Sequence, residues 1–350
     1  MLDLGSAVDL CTALGSLNLA TPIMPASGCF GPELGAIVPL SSLGAVVTKT
    51  IFSARRSGND PHRLTETAAG VLNSVGIPSP GVDAFRSDVL PRYQAIGVPV
   101  VVSIGGLRIE EYWQITEELE DANVDAFEVN VSCPNLERGG LTIGANPDQV
   151  GEVVAGVCAR TNLPVLVKLT PNVTSIAEAA CVAESVGAAA LTVANTFLGL
   201  AVDLRTRRPV LGNAMGGLSG PAVKPLALRL VWEASRVVGI PVVGCGGISS
   251  ATDAVEFLLA GASAVQVGTA TFGRPDTMVR IVEELPAALA LAGAESVQEV
   301  IGQLLVGNDC LADNTPGVLD RFGTNGASAG CGFPRDQKRD QVPAREAGVR

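Results

Sequence analysis

IPVVGCGGISSATDAVEFLLAGASAVQVGTA, residues 240–270, holds the reading that decides the fold. An apolar run rich in valine stops at two glycines. A stretch with apolar residues three and four apart follows, and a second apolar run then ends in Gly-Thr. Short apolar runs alternating with helical periodicity mark parallel strands buried on both faces and joined by helices. Working outward, TPIMPASG (21–28), AVVTKT (45–50), VPVVVSIGG (98–106), AFEVNVSC (126–133), LPVLVKLTP (163–171) and ALTVANT (190–196) join IPVVGCGG (240–247) and AVQVGTA (264–270) as eight predicted strands. Between them EEYWQITEELEDA, PDQVGEVVAGVCAR, TSIAEAACVAESVG, PLALRLVWEASRVVG and ATDAVEFLLAG carry helix formers with apolar residues at helical spacing. Eight strands over roughly 270 residues fit an α/β TIM (β/α)8 barrel, whereas an open doubly wound sheet needs about six.

Two connections are too long for plain strand-to-helix loops. Residues 51–85 and 197–219 are therefore expected as insertions over the C-terminal mouth, where long loops tend to serve function. Beyond residue 306 the chain turns to Gly, Asp, Arg and Pro with few large apolar residues. This divides it into a barrel domain, 1–306, and a tail, 307–350, expected to be disordered.

Composition narrows the function. The chain has 24 Lys and Arg against 35 Asp and Glu, a net charge of −11, and lacks the basic clusters that hold phosphate backbones, so nucleic acid is not an expected partner. No stretch of about twenty apolar residues runs unbroken, and no basic start precedes an apolar signal region. The chain reads as soluble and cytoplasmic, with no membrane partner. Its eight cysteines are scattered, without a CxxC pair or a His at zinc-ligand spacing, so reduced thiols are expected and a metal site is not.

In a barrel of this kind the site sits at the C-terminal ends of the strands. The last two strands end in GCGGIS and GTATFGRP, whose backbone N–H groups can approach an anion closely. The ligand expected there is a phosphorylated substrate or a flavin mononucleotide. Lys49 and Lys168 close apolar strands and should point into the mouth, where a buried ammonium needs an anion or a strong acceptor. Together with a phosphate site they fit an electron-rich ring such as reduced flavin. Asn73, Asn130, Asn135 and Asn195 collect at the same face. Each amide offers donors and an acceptor, which suits a planar ring bearing alternating C=O and N–H groups. Cys133 follows a strand, where a cysteine is by default a small buried hydrophobe. Beside a flavin its thiol becomes a candidate general base, since the reference pKa of about 8.5 is within reach of neutrality.

These residues carry a resemblance. FEVNVSCPN with the following GG, VTKT, LNSVGIPSPG, VKLTPNVT, LTVANT, GGLSGPAVKPLALRLV, PVVGCGGI and ASAVQVGTA are similar to the class 1 dihydroorotate dehydrogenases over about residues 17–285. The cysteine in SCPN separates class 1 from class 2, and PASGCFG with GGLSGPAVKP looks most like the catalytic subunit of type B enzymes. The resemblance implies an FMN enzyme oxidising dihydroorotate to orotate in pyrimidine synthesis. Cys133 would remove the C5 proton while the C6 hydrogen passes as hydride to flavin N5, and Lys49 would contact both flavin and substrate. Asn73, Asn130, Asn135, Asn195 and Thr196 would hold the substrate. Ser27, Thr50, Ser103, Lys168, Ala194, Gly220, Gly246, Gly247, Gly268 and Thr269, with Lys49 and Asn130, would line the flavin. The loop after Cys133 would act as a lid. A homodimer is implied, paired with an iron–sulfur and FAD subunit that passes electrons to NAD.

Ser103 departs from the family, which often has asparagine there. Other readings compete. A dihydropyrimidine dehydrogenase or a specialised-metabolism flavin enzyme would act on a related ring, but the former tends to have histidine where Asn135 stands. A flavin-binding subunit without turnover is at odds with intact Cys133 and Lys49. A phosphosugar isomerase or aldolase would use Lys168 as a Schiff base and would be colourless.

Overall fold

The computed structural model describes residues 8–132 and 143–306 of the 350. Cys133, Asn135, the rest of the expected lid to residue 142, and the tail 307–350 lie outside the described residues. The barrel unit runs to Leu304.

All eight predicted strands form: β1 (Ile23–Pro25), β2 (Val46–Val47), β3 (Val100–Ile104), β4 (Ala126–Asn130), β5 (Val165–Lys168), β6 (Ala190–Val193), β7 (Val242–Cys245) and β8 (Ala262–Val267). Each pairs in parallel with its neighbour in the sequence series from β2 to β8, and β8 returns to β1. Between β1 and β2 the ring is joined by a backbone bond, Gly44 N–H to Ile23 C=O at 3.0 Å. The result is the expected TIM barrel.

Inward side chains alternate along each strand and stack in layers. The lowest layer is apolar: Met24, Val47, Val101, Ala126, Leu166, Ala190, Val243 and Ala264 pack on Leu14, Leu17 and Leu19 from an N-terminal hairpin, Thr12–Leu14 with Leu17–Leu19. Two residues further along four strands, the same parity places Glu128, Lys168, Thr192 and Gln266, all buried. The barrel is therefore plugged with hydrocarbon below and polar just beneath its mouth.

The five predicted helices are found at Ile109–Leu119, Pro147–Cys158, Ile176–Ser185, Lys224–Ser235 and Ala251–Leu259. Leu90–Gln94 and Thr277–Leu291 add two that the periodicity did not announce. The long insertions hold more order than loops: Phe197–Leu200, Met215–Ser219, Gly70–Asn73 and Leu64–Thr67 make a four-stranded antiparallel sheet, in that spatial order. Among the described residues no helix is long and apolar enough to cross a membrane.

Candidate active site

Strand ends and this accessory sheet enclose a cavity of about 520 Å3, within the range of roughly 300–1,000 Å3 usual for small-molecule and cofactor pockets. Of the predicted site residues, Ser27, Lys49, Thr50, Asn73, Asn130, Lys168, Ala194, Asn195, Thr196, Gly220, Gly246, Gly247, Gly268 and Thr269 all line it. Ser103 lies one layer lower, fully buried, with its hydroxyl 2.9 Å from that of Thr50.

One wall is a hydrogen-bonded chain of side chains. Asn130 donates from Nδ2 to Thr50 Oγ1 at 3.1 Å, and its Oδ1 accepts from the Ser132 hydroxyl at 2.8 Å and from Asn195 Nδ2 at 3.3 Å. Asn195 Nδ2 also donates to Ser132 Oγ at 2.6 Å, while its Oδ1 accepts from Thr196 N–H at 2.8 Å. These bonds fix both amides in one orientation. By the donor and acceptor inventory, one N–H of Asn130 and one lone pair of Asn195 then remain for a ligand. That pairing is complementary to a ring carrying a carbonyl next to an N–H. Thr196 is held from behind by Asn172, which donates to its carbonyl at 3.1 Å and accepts from Leu198 N–H at 2.9 Å. Asn73 reaches the site from the accessory sheet and donates to Gly217 C=O at 3.1 Å. Ser132, the residue before Cys133, is thus anchored in the same network.

The opposite end is built from glycines and hydroxyls. Gly247 has φ +77°, and a Cβ there would come within 2.8 Å of Lys224 N and 2.9 Å of Gly220 O. Gly220 has φ +99°, with Gly70 Cα 2.7 Å from where its Cβ would sit. Only glycine fits either place, so the backbone stays bare and can approach an anion. Thr269 donates to Ser219 at 2.8 Å beside it. Sequence reasoning missed Ser219 and Ser249, both on this lining.

Behind this end the Ala251–Leu259 helix is closed by a capping box, Ser250 with Asp253. Asp253 also accepts from Ser249 N–H at 2.8 Å and pairs with Lys224 at 2.6 Å. Burial pushes its carboxyl up, but the bonds from Lys224 and Ser249 outweigh that and hold it below the usual range. A depressed folded value means stability that is full above the unfolded pKa of about 3.9 and lost as pH falls through the lowered one. Asp253→Asn is expected to cost ~1–3 kcal/mol at neutral pH. In urea unfolding, the gap to the parent should narrow in acid. A gap independent of pH would sink this account.

Deepest in the cavity the expected Lys168 meets two partners that the sequence reading passed over, Glu128 and Gln266. Lys168, 3% exposed, donates to Gln266 Oε1 at 3.0 Å, and its ammonium is 4.0 Å from Glu128 Oε1. Gln266 donates in turn to Glu128 Oε2, which also accepts from Thr192 at 3.0 Å. Glu128 Oε1 accepts no hydrogen bond. Burial pushes the Lys168 ammonium down, Cys245, Glu128 and Cys29 push it up, and the balance lies above the ordinary lysine range. Burial also pushes the Cys29 thiol up to about 11 and raises Cys245, so both stay protonated near neutrality and Glu128 is the carboxylate within 4.0 Å of the ammonium. Glu128 was legible as a lone charge inside AFEVNV, at the inward parity of Asn130.

The arrangement offers an anion cradle at one end, amides for a polar ring at the other, and a buried cation between. The model of a protein family described as dihydroorotate dehydrogenase matches residues 9–289. Curated relatives named dihydroorotate dehydrogenase B (NAD(+)), catalytic subunit, include that of Geotalea daltonii, 43% identical over 301 residues, which span 85% of this chain and 99% of that protein. That of Desulforamulus reducens is 46% identical over 298 residues, 84% of this chain and 98% of its own. That of Bacillus pumilus is 44% identical over 293 residues, 83% and 94%.

Proposed function

The chain belongs to the dihydroorotate dehydrogenase family, and from that premise we propose that it is the FMN-bearing catalytic subunit of a type B enzyme, oxidising dihydroorotate to orotate in pyrimidine synthesis. The observation that carries the reading is the single cavity joining the glycine cradle, buried Lys168 and the asparagine network. The donor set fits the cofactor. Bare backbone at Gly220, Gly246, Gly247 and Gly268 with Thr269 suits a phosphate, and the ammonium of Lys168 suits the electron-rich edge of an isoalloxazine. When bound, FMN supplies the hydride acceptor, N5.

The chain's own residues do the rest. Cys133 takes the C5 proton of the substrate, a role resting on the SCPN motif alone. Lys49 lines the cavity and contacts cofactor and substrate together. The Asn130–Ser132–Asn195 bonds hold two amides preorganised, so that ordering them costs nothing when the ring arrives. Thr196 and Asn73 complete the ring contacts from the barrel and the accessory sheet. Ser103 acts through Thr50, whose hydroxyl it fixes. A substrate contact from Asn135, which like Cys133 lies outside the described residues, rests on the same SCPN motif.

The relatives' names specify a catalytic subunit and NAD(+). We therefore assign electron export to a separate iron–sulfur and FAD chain that delivers to NAD, bound to a homodimer of this one in the cytoplasm. An anaerobic visible spectrum tests the core of the proposal. The purified protein should show a flavin band that bleaches on adding dihydroorotate. A colourless protein would remove the cofactor, and a band that persists would move the substrate to another ring.

A further inference from the structure

The buried carboxylate below the site has no place in the chemistry described so far. Glu128 is fully buried in mid-barrel, on a strand otherwise apolar up to Asn130. A charge there costs several kcal/mol unless it is paired and hydrogen-bonded. One oxygen is satisfied, by Gln266 and Thr192; the other accepts no hydrogen bond and has the Lys168 ammonium 4.0 Å away. Gln266 binds both ends, accepting from Lys168 and donating to Glu128. Four strands, β4, β5, β6 and β8, thus contribute one side chain each to a closed polar layer whose only member on the cavity lining is Lys168. The layer is sealed from below by the apolar layer.

We propose that Glu128 is a positioning residue for the reaction, which keeps the Lys168 ammonium both charged and aimed at the cofactor edge throughout the redox cycle. The inference rests on the FMN reading above. Around Lys168 the other titratable groups are Cys29, Cys245 and Lys49. Both thiols are protonated near neutrality, so among the described residues Glu128 is the carboxylate that offsets the burial of the ammonium, while Gln266 Oε1 accepts its hydrogen bond. Its consequence is a proton count. Two electrons and one proton convert the oxidised flavin to its anionic reduced form. With Glu128 in place, Lys168 is already charged and takes up nothing. Without Glu128, the buried lysine loses its proton beside the oxidised flavin and regains it when the ring becomes anionic, so reduction takes up two protons.

The test is the midpoint potential of the bound flavin, titrated anaerobically from mildly acidic to mildly alkaline pH in the parent and in Glu128→Gln. The parent should change tenfold in its reduction equilibrium per pH unit, about 30 mV for a two-electron couple. Glu128→Gln should add a further tenfold per pH unit over part of the range. In Glu128→Gln with Lys168→Arg the extra slope should vanish, because a guanidinium stays charged unaided. Equal slopes in parent and Glu128→Gln, both with flavin bound, would overturn the inference and leave the FMN reading intact. A parent without flavin would overturn both. Should Glu128→Gln not fold, the parent decides: uptake of two protons while its spectrum is that of the anionic reduced flavin would mean that Lys168 titrates despite Glu128, against the inference, and uptake of one would support it.

Discussion

Lys168→Met is expected to lower stability by about 3–5 kcal/mol, because it strands the Glu128 carboxylate in the barrel without its cation. The loss is not a cavity effect: methionine fills nearly the volume of lysine and packs readily among apolar neighbours. The cost lies in the charge left behind. The double variant Lys168→Met with Glu128→Gln should therefore recover most of it, since an uncharged pair of similar shape is often as stable as the buried ion pair it replaces. Denaturant unfolding of the parent, the single variant and the double variant measures this directly. A double variant as unstable as the single would show that the two side chains are not coupled. Both variants should also purify with little flavin, since each lacks the cation at the cavity floor.

Cys133→Ser should retain flavin and yet slow its reduction by dihydroorotate by roughly 10²–10⁴-fold at neutral pH, the range that general-base catalysis contributes. An alcohol is a far weaker base than a thiol, while the substitution changes little in size. Because the glycine cradle and Lys168 are untouched, the oxidised spectrum should match the parent's. Stopped-flow reduction under anaerobic conditions gives the rate, and the variant's rate should climb with pH. A variant reduced as fast as the parent would take Cys133 out of the proton-transfer role.

What the sequence made legible follows from burial. Strands covered on both faces must be apolar throughout, so runs such as LPVLVK announce themselves, and all eight lie where they were expected. The accessory sheet was legible only as two long insertions. Its strands are short and partly exposed, three of the four contain glycine, as in GVLN and MGGLS, and they pair with a distant segment that no local pattern can reveal. The Thr277–Leu291 helix was obscured by an internal proline, Pro286. At the site, strand-end polarity pointed to the residues that line the cavity. It did not point to Glu128 and Gln266, because they sit inside their strands, where an apolar core is the usual expectation, whereas Lys168 in the same layer closes its own. Ser132 and Asn172 were missed for a related reason: they hold other side chains in place, and a supporting role has no sequence signature of its own.

The accessory sheet also sets a timetable for assembly. Asn73 and Gly217 are hydrogen-bonded to each other yet lie 144 residues apart. At synthesis rates of about 5–20 residues per second, the first hairpin leaves the ribosome roughly 7–30 s before its partner strand exists. For that interval the Gly70–Asn73 edge has unpaired backbone groups, and the exposed side chain of Leu64 lies on the strand beside it. Barrel strands β3 to β6 appear in the same interval, but the glycine cradle, which needs Gly220, Gly246 and Gly247, comes later still. Cofactor loading consequently awaits synthesis of residue 247, and a nascent chain arrested before residue 217 would present a half-built sheet for chaperones to recognise.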